Sequence, residues 1–166
     1  HMRHEMAIQA QHKMAPTAWE NSAIKHMNLF YKISRSQIPF EYAIPQINLA
    51  HLNKMTTEIG MVQCAIVNQP DLSSGYTIDD NARALIALSE LYEITGEHEH
   101  LSLVQTYLNF ISYCQQPDGS FLNYVDEHKN FTTQNVETNL DDSNGRTIWA
   151  LGFIMSKKGV LPIHFI

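Results

Sequence analysis

Cysteine is scarce: the 166-residue chain has two, Cys64 and Cys114, far apart and in no metal-binding spacing. That argues against a disulfide framework and reads as two free thiols of a reducing compartment, so a cytoplasmic location is expected. Positive charge is thin as well. Eleven Lys and Arg face 17 Asp and Glu, the net charge is −6, and no basic run exceeds Lys157-Lys158. A phosphate-tracking surface is not built this way, so no nucleic-acid partner is expected. No apolar stretch reaches the roughly 18 residues of a membrane span, and no apolar core of a signal peptide is present, so no membrane partner is expected. Gly-rich phosphate loops, Cys clusters and Ser-nucleophile motifs are missing too. His98 and His100 flank Glu99 without a third ligand in view, so the expectation is no metal and no cofactor.

What the chain does have is a pattern used twice. Asp79-Asp80-Asn81-Ala82-Arg83-Ala84-Leu85 returns as Asp142-Ser143-Asn144-Gly145-Arg146-Thr147-Ile148, at a constant spacing of 63 positions. Asp and Asn favour helix starts, where a side-chain oxygen accepts from a free N–H group. The apolar residues that follow continue a helix. A fixed spacing of this size suits two helices and their loops, the signature of a repeat built from αα-hairpins.

Along the chain, residues 1–15 read as a tag remnant and frayed lead-in, and residues 16–166 as one helical domain. Helical spacing predicts a first helix over about 17–34, broken by Pro39 and Pro45, and a short second one ending near Gly60. Met61 to Val67 is apolar and β-branched enough to be extended. Residues 68–78 carry turn chemistry and read as a loop. A third helix runs from Asp80 to Thr95, where Gly96 stops it. Leu101 to Cys114 make a fourth, and Pro117-Asp118-Gly119 a turn. Phe121 to Val125 are extended, residues 126–141 form the longest loop, and a fifth helix starts near Asp142. The apolar run from Val160 to Ile166 sets an expectation of a covering surface there, either a second copy of the chain or a missing half of the domain.

These strings carry a resemblance. Asn48-Leu49-Ala50-His51-Leu52, Ile59-Gly60-Met61-Val62-Gln63, Gly75-Tyr76-Thr77-Ile78-Asp79-Asp80-Asn81-Ala82-Arg83-Ala84, Asp118-Gly119-Ser120-Phe121 and Asp141-Asp142-Ser143-Asn144-Gly145-Arg146 resemble a bacterial six-hairpin, glycosidase-like family, found alone or joined to glycosyltransferases. The resemblance spans about residues 46–156. It implies an all-α fold of αα-hairpins forming part of an (α/α)6 toroid, with carbohydrate as the substrate class.

In such a toroid Asp79, Asp80, Asp141 and Asp142 gather near one mouth. Two carboxylates across a sugar-sized gap are what glycoside cleavage requires, one as acid and the other as base or nucleophile. These four are the candidate catalytic residues. Tyr76 is the candidate sugar platform, since aromatic faces stack on C–H surfaces. Tyr124, Asn123, Arg83 and Arg146 are candidate substrate contacts. The competing reading stays open: Asp79 with Arg83 and Asp142 with Arg146 stand at helical salt-bridge spacing, and Asp at a helix start is ordinary capping. Trp149 is expected in the core. The expected function is glycoside-hydrolase-like processing of a bacterial oligosaccharide; the alternative is a non-catalytic glycan-binding or scaffold module serving a glycosyltransferase or phosphorylase.

Overall fold

The computed structural model describes residues 2–34, 45–159 and 161–162. Pro39, and the apolar end at 160 and 163–166, lie outside the described residues. The chain divides into two compact units, His1–Gln46 and Ile47–Ile166. In the first, helix α1 (Met2–Met14) and helix α2 (Trp19–Ser34) are joined by a 3-10 turn, Ala15–Thr17. Pro16 stands in the first turn of that element, where its missing N–H costs nothing. Thr17 Oγ1 donates to the Met14 carbonyl at 2.7 Å, and Asn21 Nδ2 to the Ala15 carbonyl at 2.7 Å. The N-terminal lead-in is thus helical over Met2–Met14 and belongs to the unit that ends at Gln46.

The second unit runs α3 (Ala50–Met55), β1 (Val62–Ile66), β2 (Gln69–Thr77), α4 (Ile78–Thr95), α5 (Leu101–Cys114), β3 (Tyr124–Val125), α6 (Gln134–Glu137) and α7 (Asp141–Ser156). The strands form one antiparallel sheet in the order β1-β2-β3. This corrects the all-α expectation, and with it the reading as part of an (α/α)6 toroid: the described residues are 62% helical but carry a three-stranded sheet. The misread segment is 68–78. Its Asp, Ser and Gly residues build an irregularity inside β2 rather than a free loop. The register passes from Val62↔Tyr76 to Cys64↔Asp71, so extra residues of β2 bulge out of the ladder. Ser74 Oγ accepts the Cys64 N–H at 3.0 Å and donates to the Asp71 carbonyl at 2.6 Å, which satisfies backbone groups the bulge would orphan.

The core lies where α4 meets α5 and α7. Ile78, Leu85 and Leu88 of α4, Val104, Tyr107 and Phe110 of α5, and Ala150 and Ile154 of α7 are all buried. Each large apolar side chain buried there contributes about 1.5–3 kcal/mol. Two buried tyrosines need partners for their hydroxyls, and successive threonines after α3 supply them. Thr56 Oγ1 lies 2.6 Å from Tyr107 Oη, and Thr57 Oγ1 lies 3.0 Å from Tyr76 Oη. Lys157 at the end of α7 pairs with Glu93 of α4. Trp149, expected inside, is 61% exposed beside the equally open Ile148. No helix among the described residues is long and apolar enough to cross a membrane.

Both cysteines are free, Cys64 exposed on β1 and Cys114 buried at the end of α5. Burial pushes the Cys114 thiol up to about 12. Only thiolate reacts, so a maleimide near neutral pH is expected to label Cys64 alone in the folded chain and both thiols in denaturant. Mass spectrometry of the labelled protein checks this, and prompt native labelling of Cys114 would show that α5 frays.

Candidate functional site

The first turn of α4 carries Asp79 and Asp80, and its N–H groups are already spoken for. Thr77 is the N-cap; its Oγ1 accepts the Asp80 N–H at 3.3 Å and donates to Asp80 Oδ2 at 2.6 Å. That is a reciprocal capping arrangement. The two remaining donors are met from across the chain. The Asn123 carbonyl accepts the Ile78 N–H at 2.9 Å, and Asn123 Oδ1 accepts the Asp79 N–H at 3.3 Å. Asn123 is held in turn by Asn135, whose Oδ1 accepts the Asn123 and Tyr124 N–H groups at 2.7 and 2.9 Å. The start of α4 is therefore closed to an incoming anion. Asn123, expected to contact substrate, is buried and occupied as a cap. Tyr124 keeps a half-buried side chain, with its backbone fixed by Asn135.

Tyr76 is also a correction. It lies in the buried end of β2 beside Gly75 and Thr77, its ring is 6.0 Å from that of Phe110, and it is only 3% exposed. A buried ring has no face to offer a sugar. The sequence could not show this, because the inward register depends on the bulge.

The charged residues do converge. Arg83 Nη2 lies 3.0 Å from Asp79 Oδ2 and 2.5 Å from Asp80 Oδ1. Arg146, one turn into α7, reaches Asp142 at 2.9 Å within its own helix and Asp79 Oδ1 at 3.2 Å on α4. Asp79 thus stands between the two arginines of the two repeats. Its Oδ1 is buried and makes no hydrogen bond of good geometry, so Arg146 meets it as a charge contact. Asp79 first, then Asp142, raises the affinity of the Arg146 guanidinium for its proton above the ordinary arginine value. Asp141 stands apart from these ion pairs: its N–H donates to Asn139 Oδ1 at 2.7 Å, and Asn139 Nδ2 donates to its carboxylate at 3.1 Å.

The repeated asparagine has a role that the sequence did not disclose. Asn81 Oδ1 accepts the Met61 N–H at 2.9 Å, while its Nδ2 donates to the carbonyls of Met61 at 3.4 Å and Thr77 at 2.8 Å. Asn144 does the same to Phe121: Oδ1 accepts its N–H at 2.8 Å, and Nδ2 donates to the Phe121 and Leu140 carbonyls at 2.9 and 3.0 Å. Each asparagine clamps the backbone of a residue that follows an earlier helix, α3 for Met61 and α5 for Phe121. Met61 and Phe121 in turn bridge to Thr56 and Gln115, the residues that cap α3 and α5. The identity of Asn at both copies was the available signal; its partner was not.

One grouping among the described residues has metal-ligand character: Glu97, Glu99 and His100. His100 Nε2 lies 3.3 Å from Glu97 and 3.8 Å from Glu99. Glu97 joins Glu99 and His100 in this grouping and His98 does not, and both carboxylates are exposed. The chain matches no family model and no curated protein.

Proposed function

We propose that this chain recognises an oligosaccharide within a carbohydrate-processing system, binding it rather than cleaving it. The observation that carries this reading is the placement of Arg146 against Asp79, which joins the two repeats in one polar patch. Arg83 and Arg146 stay 49% and 36% exposed in it. Each guanidinium has five N–H donors, so both retain donors for sugar hydroxyls, and the exposed Asp142 offers an acceptor. The resemblance of the Gly75 to Ala84 string to glycosidase-like proteins supports carbohydrate as the class of ligand. Hydrolysis needs a carboxyl that hands a proton to the leaving oxygen. Asp79, Asp80 and Asp142 are each engaged by a guanidinium group, and this organised set of donors and acceptors supports recognition of hydroxyls. The two free thiols support a cytoplasmic setting.

Calorimetric titration with manno- and gluco-oligosaccharides tests this, with product analysis of the same mixtures. Wild type is expected to bind without turnover, and Arg146→Ala or Asp142→Asn to bind at least tenfold more weakly. Released product would overturn the binding-only reading. Absence of binding by the wild type would remove the carbohydrate reading and leave the ion pairs as an interhelical lock.

A further inference from the structure

A cavity of about 170 Å³ opens elsewhere on the second unit, lined by Glu58, Ile59, Asn109, Phe110, Tyr113 and Lys129. It shares no residue with the arginine patch. Ile59 and the buried Phe110 make part of its wall apolar. Tyr113, in the last turn of α5, is held before any ligand arrives. Its ring stacks on Phe131 with centroids 5.0 Å apart and planes 14° from parallel, and its hydroxyl donates to the Lys129 carbonyl. Phe131 does not line the cavity and Tyr113 does, so the stack braces the tyrosine from outside. An aromatic ring fixed in advance loses little freedom on binding.

The rim is polar in a mixed way. The Glu58 carboxylate accepts, the Lys129 ammonium donates, and the two lie 3.8 Å apart. Asn109 brings an amide whose oxygen already accepts from Gln105 at 2.8 Å, which leaves the NH2 group as a donor. Lys129 itself has φ +66°, a left-handed backbone that glycine would adopt without strain. The turn around it is fully tied: Asp126 Oδ1 accepts the N–H groups of His128 and Asn130 at 2.9 and 2.7 Å, and the Lys129 N–H donates to the Asp126 carbonyl at 3.1 Å. A lysine kept in a glycine conformation at the mouth of a cavity is the kind of strain that collects at binding sites.

We propose that this cavity is a subsite for a single neutral pyranose ring. Its volume falls below the roughly 300 Å³ at which pockets for drug-sized ligands begin, which fits one small ring. The aromatic wall suits the C–H face of a sugar, and carboxylate, ammonium and amide together suit vicinal hydroxyls. Glu58 disfavours an anion, and Lys129 disfavours a cation. The inference rests on the carbohydrate reading above and adds a place and a ring class to it.

The test is an NMR titration with methyl mannopyranoside and methyl glucopyranoside, following the aromatic signals. Wild type is expected to bind one of them in the millimolar range, with Tyr113 ring signals moving. Tyr113→Ala should weaken binding at least tenfold. Lys129→Gly should weaken it at least threefold and yet melt no lower than wild type, which separates a ligand contact from a structural role even if Tyr113→Ala folds poorly. Undiminished binding in both Tyr113→Ala and Lys129→Gly would overturn the subsite and leave the broader carbohydrate reading standing. No monosaccharide binding by wild type that still binds oligosaccharides would also overturn the subsite alone. Failure of both sugars and oligosaccharides would overturn both readings.

Discussion

Gly75→Ala is expected to destabilise the second unit by about 3 kcal/mol, because two costs add. The backbone at Gly75 has φ +69°, and an alanine held in this left-handed region costs about 1–2 kcal/mol. An added Cβ would then sit 2.3 Å from the carbonyl oxygen of Val125. That oxygen is backbone of β3, whose Val125 is paired with Tyr76, so it cannot swing aside like a side chain. Overpacking of this kind costs about 1–3 kcal/mol. Gly96 provides the control. It has the same φ of +69° but nothing within 4 Å of an added Cβ, so Gly96→Ala should show the conformational cost alone, about 1 kcal/mol. Urea denaturation of both variants measures the difference. Equal losses would mean that β3 yields to the new methyl. The clash should also be felt beyond the sheet. Pushing β3 away displaces Asn123, and faster amide exchange is expected at Ile78 and Asp79, whose N–H groups it accepts.

The second large effect is expected at Asn81. Its side chain is fully buried and serves both backbone groups of Met61. Asn81→Ala strips the Met61 N–H of its acceptor in a place that water does not reach easily, and leaves the carbonyls of Met61 and Thr77 short of a donor. An orphaned buried polar group costs about 1–3 kcal/mol, so a loss of about 3 kcal/mol is expected for the set. Gly60 gives a second route to the same clamp: a Cβ there would lie 2.6 Å from Asn81 Oδ1. The same change at Asn144, which is half-buried, should cost about 1–1.5 kcal/mol because solvent partly replaces the lost partners. Matched denaturation curves decide this, and an Asn144→Ala loss as large as that of Asn81→Ala would contradict the burial argument.

The helices were legible because their signals are local. The apolar spacing of Leu101 to Cys114 and the Gly96 stop return as α5 and the left-handed cap of α4. The sheet was not legible. Asp71, Ser73, Ser74 and Gly75 are turn formers by composition; Asp71 pairs with Cys64 of β1, and the other three lie in the bulge between that pair and Val62↔Tyr76. Among the candidate residues, the ion pairs of Asp79 with Arg83 and of Asp142 with Arg146 were legible because pairs four apart on a helix can be read from spacing. The contact from Arg146 to Asp79 crosses between helices and could be read only from the repeat. Tyr76 and Asn123 share one feature: each has a residue type that suits a ligand contact, while its neighbours in space consume its polar groups. Tyr113 and Lys129 gave no sequence signal, since they meet only through the turn at Asp126.

The two asparagine clamps hold loops of unequal length. Met61 and Asn81 are 20 positions apart, and Phe121 and Asn144 are 23 apart. One span is filled by a β-hairpin and the other by β3, a tight turn and the short α6. By chain-closure entropy alone, the longer span costs only about 0.1 kcal/mol more than the shorter one. The clamp therefore works as a socket. It fixes where a loop leaves and rejoins the helices, whatever its length. The inner parts of the two inserts are committed, since β2 of one pairs with β3 of the other and Tyr76 and Val125 are buried. The exposed hairpin tip at Val67 and Asn68 is not, and a new recognition surface can be grafted there while Asn81 and Asn144 are kept.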